Sequence, residues 1–241
     1  MRIPTRMRNK TVRMCDLPVS WIMAHGRRDD LLHITNGDVF NQYLITNCAV
    51  PAVPFRETMM DGETVAQILS DAFVRCRAAA VAVSEEEYRG NMAAFDGLQK
   101  KYGEICLWFG RDTYCQVNLL TLLAHLEQIG FGGRVTLNYI DDETMAMVES
   151  NIEVALGVYA EAYKTLLIDK QMPSECGVLD MHALYLYLDY HSENGALARL
   201  VREDASGDTM KLLYALLAHS QDYGLSDIQA KKLIDKYMRK S

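Results

Sequence analysis

The stretch LLHITNGDVFNQYL, residues 31–44, decides the fold class. Leu31, Leu32, His33, Ile34 and Thr35 form a short apolar run of strand character. Asn36-Gly37-Asp38 then makes a turn, and the residues from Val39 to Leu44 can start a helix. A strand that passes through a tight turn directly into a helix is the opening of a βαβ unit, whose next strand lies parallel to the first.

The chain beyond it repeats this alternation. Residues 50–55 form a second extended run, and Pro51 and Pro54 place it at an edge or make it irregular. Residues 63–82 have helical spacing through Val65, Ile68, Leu69, Ala72 and Phe73, and residues 85–102 suggest another helix ended by Gly103. Residues 104–109 read as a buried strand, because Ile105 to Phe109 run without polar interruption. A strongly apolar helix over 116–129 closes at Gly130, and residues 134–140 give a fourth strand. After that the pattern turns helical. Asp142 or Thr144 caps a long helix to about Leu167, and further helices fall near 180–190, 193–203, 208–221 and 226–239. The expected architecture is α/β: a mostly parallel Rossmann-like sheet flanked by helices over 31–141, then an all-helical C-terminal region over 142–241.

Composition supports a globular protein with a substantial core: 241 residues, 49% hydrophobic and 24% charged. No apolar run is long enough to span a bilayer. The six cysteines have neither CxxC nor zinc-finger spacing, which suggests reduced thiols and a cytoplasmic protein. Charge is uneven. Residues 1–30 carry seven basic and three acidic side chains, a net of +4 against −7 for the whole chain. This leader reads as a flexible tail or as translation begun upstream of the natural start, and it is left out of the fold. The acidic remainder argues against general binding to nucleic-acid phosphates.

Ligands of open α/β sheets bind outside the carboxyl ends of the strands. Three strands here end in polar clusters: Asn36-Gly37-Asp38, then Arg56-Glu57, then Arg111-Asp112 followed by Cys115, Gln116 and Asn118. Each has a chemical use. Gly37 can adopt positive φ and let a ligand approach the backbone. Arg56 and Arg111 can fork onto phosphate or carboxylate. Asp38, Glu57 and Asp112 can serve as acid/base groups or Mg²⁺ ligands. Asn36, Gln116 and Asn118 supply neutral hydrogen bonds. Each cluster also has a structural reading: Asp38 as a helix N-cap, the arginine–carboxylate neighbours as ion pairs. Their recurrence at successive strand ends is what suggests a site.

Cys115 sits at a helix N-terminus near Arg111, a setting that can activate a thiol, but its nearest histidines in sequence, His33 and His125, lie inside a strand and well along a helix. Asp141-Asp142-Glu143 reads as the acidic first turn of the next helix. His182, Tyr185, Tyr187, Tyr190 and His191 read as a mixed core and surface helix. Ser226 in YGLSDIQ reads as an N-cap. There is no GxGxxG, P-loop, GxSxG or HExxH.

LLHITNGD, FRETMMDGE and ICLWFGRDTYCQVNLL, in this order and spacing, resemble the motifs of the bacterial family named domain of unknown function 1835. The likeness covers most of residues 31–235 and continues more weakly through IEVALGVYAEAY and the final YGLSDIQ. Asn36, Gly37 and Asp38 match the first motif. Arg56 and Glu57 match the second, with Phe55 in place of its usual Trp. Trp108, Phe109, Asp112, Cys115, Gln116 and Asn118 match the third, with Gly110 where the family usually has Glu. The resemblance implies a site on this rim and no particular reaction.

The function expected from these residues is binding or turnover of a small anionic metabolite, such as a nucleotide or another phosphorylated compound, by a transferase or hydrolase. The rival expectation is a non-catalytic regulatory or adaptor protein that acts through its helical half. An open rim joining Asp38, Arg56 and Asp112 favours the first; a filled rim and an exposed apolar groove within 180–239 favour the second.

Overall fold

The computed structural model describes residue 22 and residues 28–48, 50–141, 144–204 and 207–238. Four strands are parallel: β1 (Leu31–Asn36), β2 (Ala52–Phe55), β3 (Glu104–Phe109) and β4 (Arg134–Ile140). A fifth, β5 (Met147–Glu153), runs antiparallel along β4, giving the order β2-β1-β3-β4-β5. The chain steps from β1 outward to β2, then back across to β3 and on to β4. Right-handed crossovers therefore place the first connection on one face and the next two on the other. The first is α1 (Asp38–Tyr43) with the π-turn Leu44–Cys48. The others are α2 (Asp71–Ala80), α3 (Glu85–Met92) and α4 (Leu98–Lys101), then α5 (Thr113–Gln128).

The C-terminal helices α6 (Tyr159–Tyr163), α7 (Met181–His191), α8 (Ala196–Glu203), α9 (Thr209–His219) and α10 (Asp227–Met238) add a further layer. Of these, α6 and α7 pack on α5, while α8 packs on α7 and α8, α9 and α10 pack on one another; the residues of α5 from Thr113 to Leu126 are all buried except Tyr114. A helix rich in apolar residues on most of its faces is covered on nearly every side. One hydrophobic cluster runs from Leu32 and Leu107 in the sheet through Leu120 to Leu216 and Tyr237. The α/β part and the helices therefore share a core, and the expected boundary at 141/142 does not separate two cores.

Three expected elements come out differently. The long helix from 142 or 144 to about 167 is a strand and a short helix. Met147–Glu153 pairs with the open edge of β4, and its largely exposed side chains suit an edge strand. Asn151 (φ 56) and Gly157 (φ 144) break any helical run. Residues 142 and 143 lie outside the described residues, and Asp141 accepts from the Thr144 backbone N–H in a local turn. The helix expected over 63–82 forms only from Asp71, behind the Ser70 cap. Upstream of it, core side chains take the backbone groups a helix would use. Gln128 bonds Ile68 N and Ala66 O, Tyr163 donates to Val65 O, and Arg77 donates to Glu63 O. The helix expected over 85–102 is interrupted at Gly97, which is left-handed.

Ile22 corrects the treatment of the leader. It is fully buried in a second cluster with Leu31, Phe40, Leu44, Cys106 and Trp108, on the α1 face of the sheet. Arg28 pairs with Asp30 and Glu104. Residues 1–21 and 23–27 of the basic leader lie outside the described residues. Among the described residues no helix is long and apolar enough to cross a membrane.

On that same face His33 is fully buried, and its Nδ1 accepts from Trp108 Nε1 at 3.0 Å. Burial lowers its pKa from 6.5 to about 4. The folded protein thus refuses a proton that the unfolded chain takes up. Stability present above pH 6.5 is lost as pH falls toward 4, by up to ~3 kcal/mol from this group. Urea unfolding at pH 7, 5.5 and 4.5 is expected to show that loss, and His33→Gln is expected to reduce it, the remainder coming from His125 and His191, whose pKa values burial also lowers. Ile22→Ala is expected to cost about 2–4 kcal/mol at pH 7 in the same assay; an unchanged midpoint would mean that Ile22 is not part of the core.

Candidate functional site

The carboxyl ends of β1, β2 and β3 do form one rim, since the three strands are parallel neighbours. The expected site residues divide there into three groups with different occupations.

The first group is exposed and paired. Gly37 N-caps α1 with φ 78 and ψ −171, a conformation open to glycine alone. A Cβ there would meet nothing within 4 Å, so backbone angles require the glycine, not crowding. Asp38 is therefore the first residue of α1 and not its cap. It forms an ion pair with Arg56 at 2.8 Å, with both side chains substantially exposed. Arg56 also reaches Asn91 at 3.5 Å.

The second group is buried and saturated. Glu57, expected as an acid/base group or Mg²⁺ ligand, has a fully buried side chain paired with an equally buried Arg77 at 2.7 Å. Its carboxylate also accepts from Tyr88 OH at 2.6 Å and from Thr58 N at 3.0 Å. Burial, and then the Glu57 charge, hold the Tyr88 hydroxyl far above its usual range, so it stays a donor. Arg77 spends its remaining donors on the carbonyls of Thr58, Asp61 and Glu63. Glu57 thus fixes the loop after β2 and is closed to a ligand.

Cys115, Gln116 and Asn118 are likewise buried and bonded to protein. Asn36 Nδ2 donates to Cys115 Sγ at 2.9 Å. Asn118 donates to Asn36 Oδ1 and Glu57 O, and accepts from Met59 N. Gln116 donates to Gly110 O and accepts from Asp180 N. These bonds fill the crevice between β1 and β3, the topological switch point where such sheets usually bind ligands. Asn36, Cys115, Gln116 and Asn118, expected as ligand-binding groups, here fasten the strand ends to α5 and α7.

The third group faces open space. Arg111 and Asp112 line a cleft of about 510 Å³ with Gly110, Ile140, Asp141, Val148 and Gln221. It lies beyond the carboxyl ends of β3 and β4, and its volume is in the range of small-molecule sites. A smaller cavity of about 240 Å³ shares Arg111, Asp112 and Gln221 and is completed by Asp180, His182, Ala183, Leu186 and Asp222. Arg111 lies 4.2 Å above the Tyr139 ring and pairs with Glu149, both partners half exposed. Asp112 N-caps α5 by accepting from Cys115 N at 2.8 Å. Gly224 is left-handed and packs so closely on Asp112 that a Cβ there would collide with the carboxylate.

The structure therefore keeps Arg111 and Asp112 together and leaves Asp38 and Arg56 in their own ion pair, so the expected open rim joining Asp38, Arg56 and Asp112 does not form and the open space lies with Arg111 and Asp112 alone. Among the described residues no group of three or more His, Cys, Asp or Glu side chains could hold a metal ion. Asp180, Gln221 and Asp222 went unnoticed in the sequence. They come from distant helices and look there like ordinary cap and surface residues.

No family model matches the chain, and no curated protein and no solved structure matches it.

The two kinds of ion pair predict different mutational costs. Exposed pairs contribute up to ~1 kcal/mol, whereas removing one partner of a buried pair costs about 3–5 kcal/mol. Arg77→Met is expected to destabilise by that larger amount, with much of it recovered in the double variant Arg77→Met/Glu57→Gln. Arg56→Ala is expected to change stability by less than about 1 kcal/mol. A double-mutant cycle on denaturant unfolding measures both.

Proposed function

We propose that this chain binds, and as an enzyme turns over, a small anionic metabolite in the cleft beyond the ends of β3 and β4, with Arg111 receiving the anionic group. The observation that carries the reading is Arg111 itself, half exposed on the wall of a ligand-sized cleft. Stacking on Tyr139 presets the guanidinium. Its exposed Glu149 partner is worth little in water, so a ligand phosphate or carboxylate can replace it at small cost. Asp112 lines the same cleft, as does Asp141, and can accept from a ligand hydroxyl or exchange a proton. A phosphorylated compound with hydroxyl groups satisfies both residues, and Mg²⁺ would arrive as a complex with its phosphate.

We further propose that the chain is a divergent member of the domain of unknown function 1835 family. Its NGD, RE and CQxN residues then serve mainly to build the rim. Gly110, where that family usually has Glu, lines the cleft; a Glu there would add a carboxylate beside Arg111 and Asp112.

Protein docking on the helical half is a second reading. It is supported by exposed Tyr185, Met210, Tyr214 and Ile228 and by a mostly apolar groove of about 670 Å³ between Ala80–Ala82 and the start of α10.

The test is thermal stability of the full chain against nucleotides, sugar phosphates and carboxylates, with and without Mg²⁺. A ligand at about a hundred times its Kd adds ~2.7 kcal/mol. A shift that vanishes in Arg111→Ala and persists in Arg56→Ala is the expected result. A shift lost in Arg56→Ala but kept in Arg111→Ala would move the site to the β1–β2 end of the rim. No shift with any compound would favour the docking reading.

A further inference from the structure

Two cavities meet at Arg111. Arg111, Asp112 and Gln221 line both the cleft of about 510 Å³ and the smaller cavity of about 240 Å³. The smaller one falls below the ~300 Å³ at which complete small-molecule sites begin, so it is a compartment of the larger site and not a site of its own. Its walls are of another kind. Ala183 and Leu186 stand one turn apart on α7 and give it a buried apolar side. His182 precedes them in the first turn, where its backbone N–H is held by the Asp180 cap. The exposed His182 ring is stacked on Tyr185, with centroids 6.3 Å apart and planes 20° from parallel. Gln221, at the shared edge, offers a carboxamide with donors and an acceptor together. An aromatic face beside aliphatic side chains, with an amide at the edge, is the lining that a planar heteroaromatic ring fits.

We infer that the ligand of the Arg111 site is a nucleoside phosphate, with its phosphate on Arg111 in the larger cleft and its base in the smaller cavity against His182, Ala183 and Leu186. The inference rests on the proposed ligand site at Arg111 and narrows its chemical class from anionic metabolites to nucleotides. The sugar then spans the wall common to both cavities, where Asp112 can accept from a hydroxyl, a pairing that carboxylates commonly make with ribose. A sugar phosphate or a simple carboxylate would use the larger cleft alone and leave the apolar side of the smaller cavity in contact with water. Because every base has a flat face, stacking on His182 selects for a base without selecting which one.

Calorimetric titration of the full chain tests this. The 5′-monophosphates of adenosine, guanosine, cytidine and uridine are compared with ribose 5-phosphate, which keeps the phosphate and the sugar and lacks the base. At least one nucleotide is expected to bind about tenfold or more tightly than ribose 5-phosphate. His182→Ala is expected to weaken that nucleotide about five- to a hundredfold and to leave ribose 5-phosphate unchanged. His182→Phe, which restores a flat ring, is expected to recover the preference, and Arg111→Gln is expected to weaken both compounds. The inference is overturned if ribose 5-phosphate or a carboxylate binds as tightly as every nucleotide, or if the preference for a nucleotide survives His182→Ala. Either result leaves the Arg111 site standing. No binding of any of these compounds, or of any member of the wider anion panel, removes the site and the inference together.

Discussion

The buried ion pair between Arg77 and Glu57 is the constraint on which the rest of this molecule depends. Neither side chain is exposed. Each charge is therefore costly on its own, and the pair persists because its remaining donors and acceptors are bonded to Tyr88, Thr58, Asp61 and Glu63. Glu57 lies two residues past the end of β2, and Arg77 lies in the second turn of α2. Between them runs a loop without regular structure, and Arg77 supplies through its donors what a helical ladder would have supplied. The same arrangement explains why α2 starts only at Asp71. It also seats Thr58 and Met59 against α5, where Asn118 and Tyr114 complete the bonding.

A rim built this way has little freedom left at its centre. Asn36, Cys115 and Asn118 close the switch-point crevice from β1 and α5, and Gln116 ties the end of β3 to the start of α7. Open space is displaced to the next strand pair, where β4 is followed by an antiparallel edge instead of another helix-covered strand. The helical layer then forms the far wall with Asp180, Gln221 and Asp222. In this fold the helices added behind α5 build the cleft together with the sheet.

Much of the fold was legible in the sequence. The run Leu31–Thr35, the continuous apolar stretch Ile105–Phe109 and the strongly apolar helix after Asp112 are local patterns whose burial has few alternatives. The helices near 180–239 also follow local caps, among them Asp180, Asp208 and the reciprocal Ser226–Gln229 box. The misread segments are those where local preference was overruled from outside. Residues 147–153 have the composition of a helix and form a strand because β4 offered an unpaired edge. Residues 63–70 have helical spacing and stay irregular because Arg77, Gln128 and Tyr163 claim their backbone groups.

The candidate site shows the same division. The sequence by itself determined which residues stand at the carboxyl ends of the strands, since alternation of strand and helix fixes the direction of a parallel sheet. It could not rank them, because an Arg followed by a carboxylate reads alike whether buried or exposed. Only the tertiary structure decided that Glu57 is sealed against Arg77, that Arg56 and Asp38 occupy each other, and that Arg111 and Asp112 line open space. The physical reason is solvent exposure: whether a charge is saturated by protein or left for a ligand depends on neighbours dozens of residues away, and no local pattern carries that information.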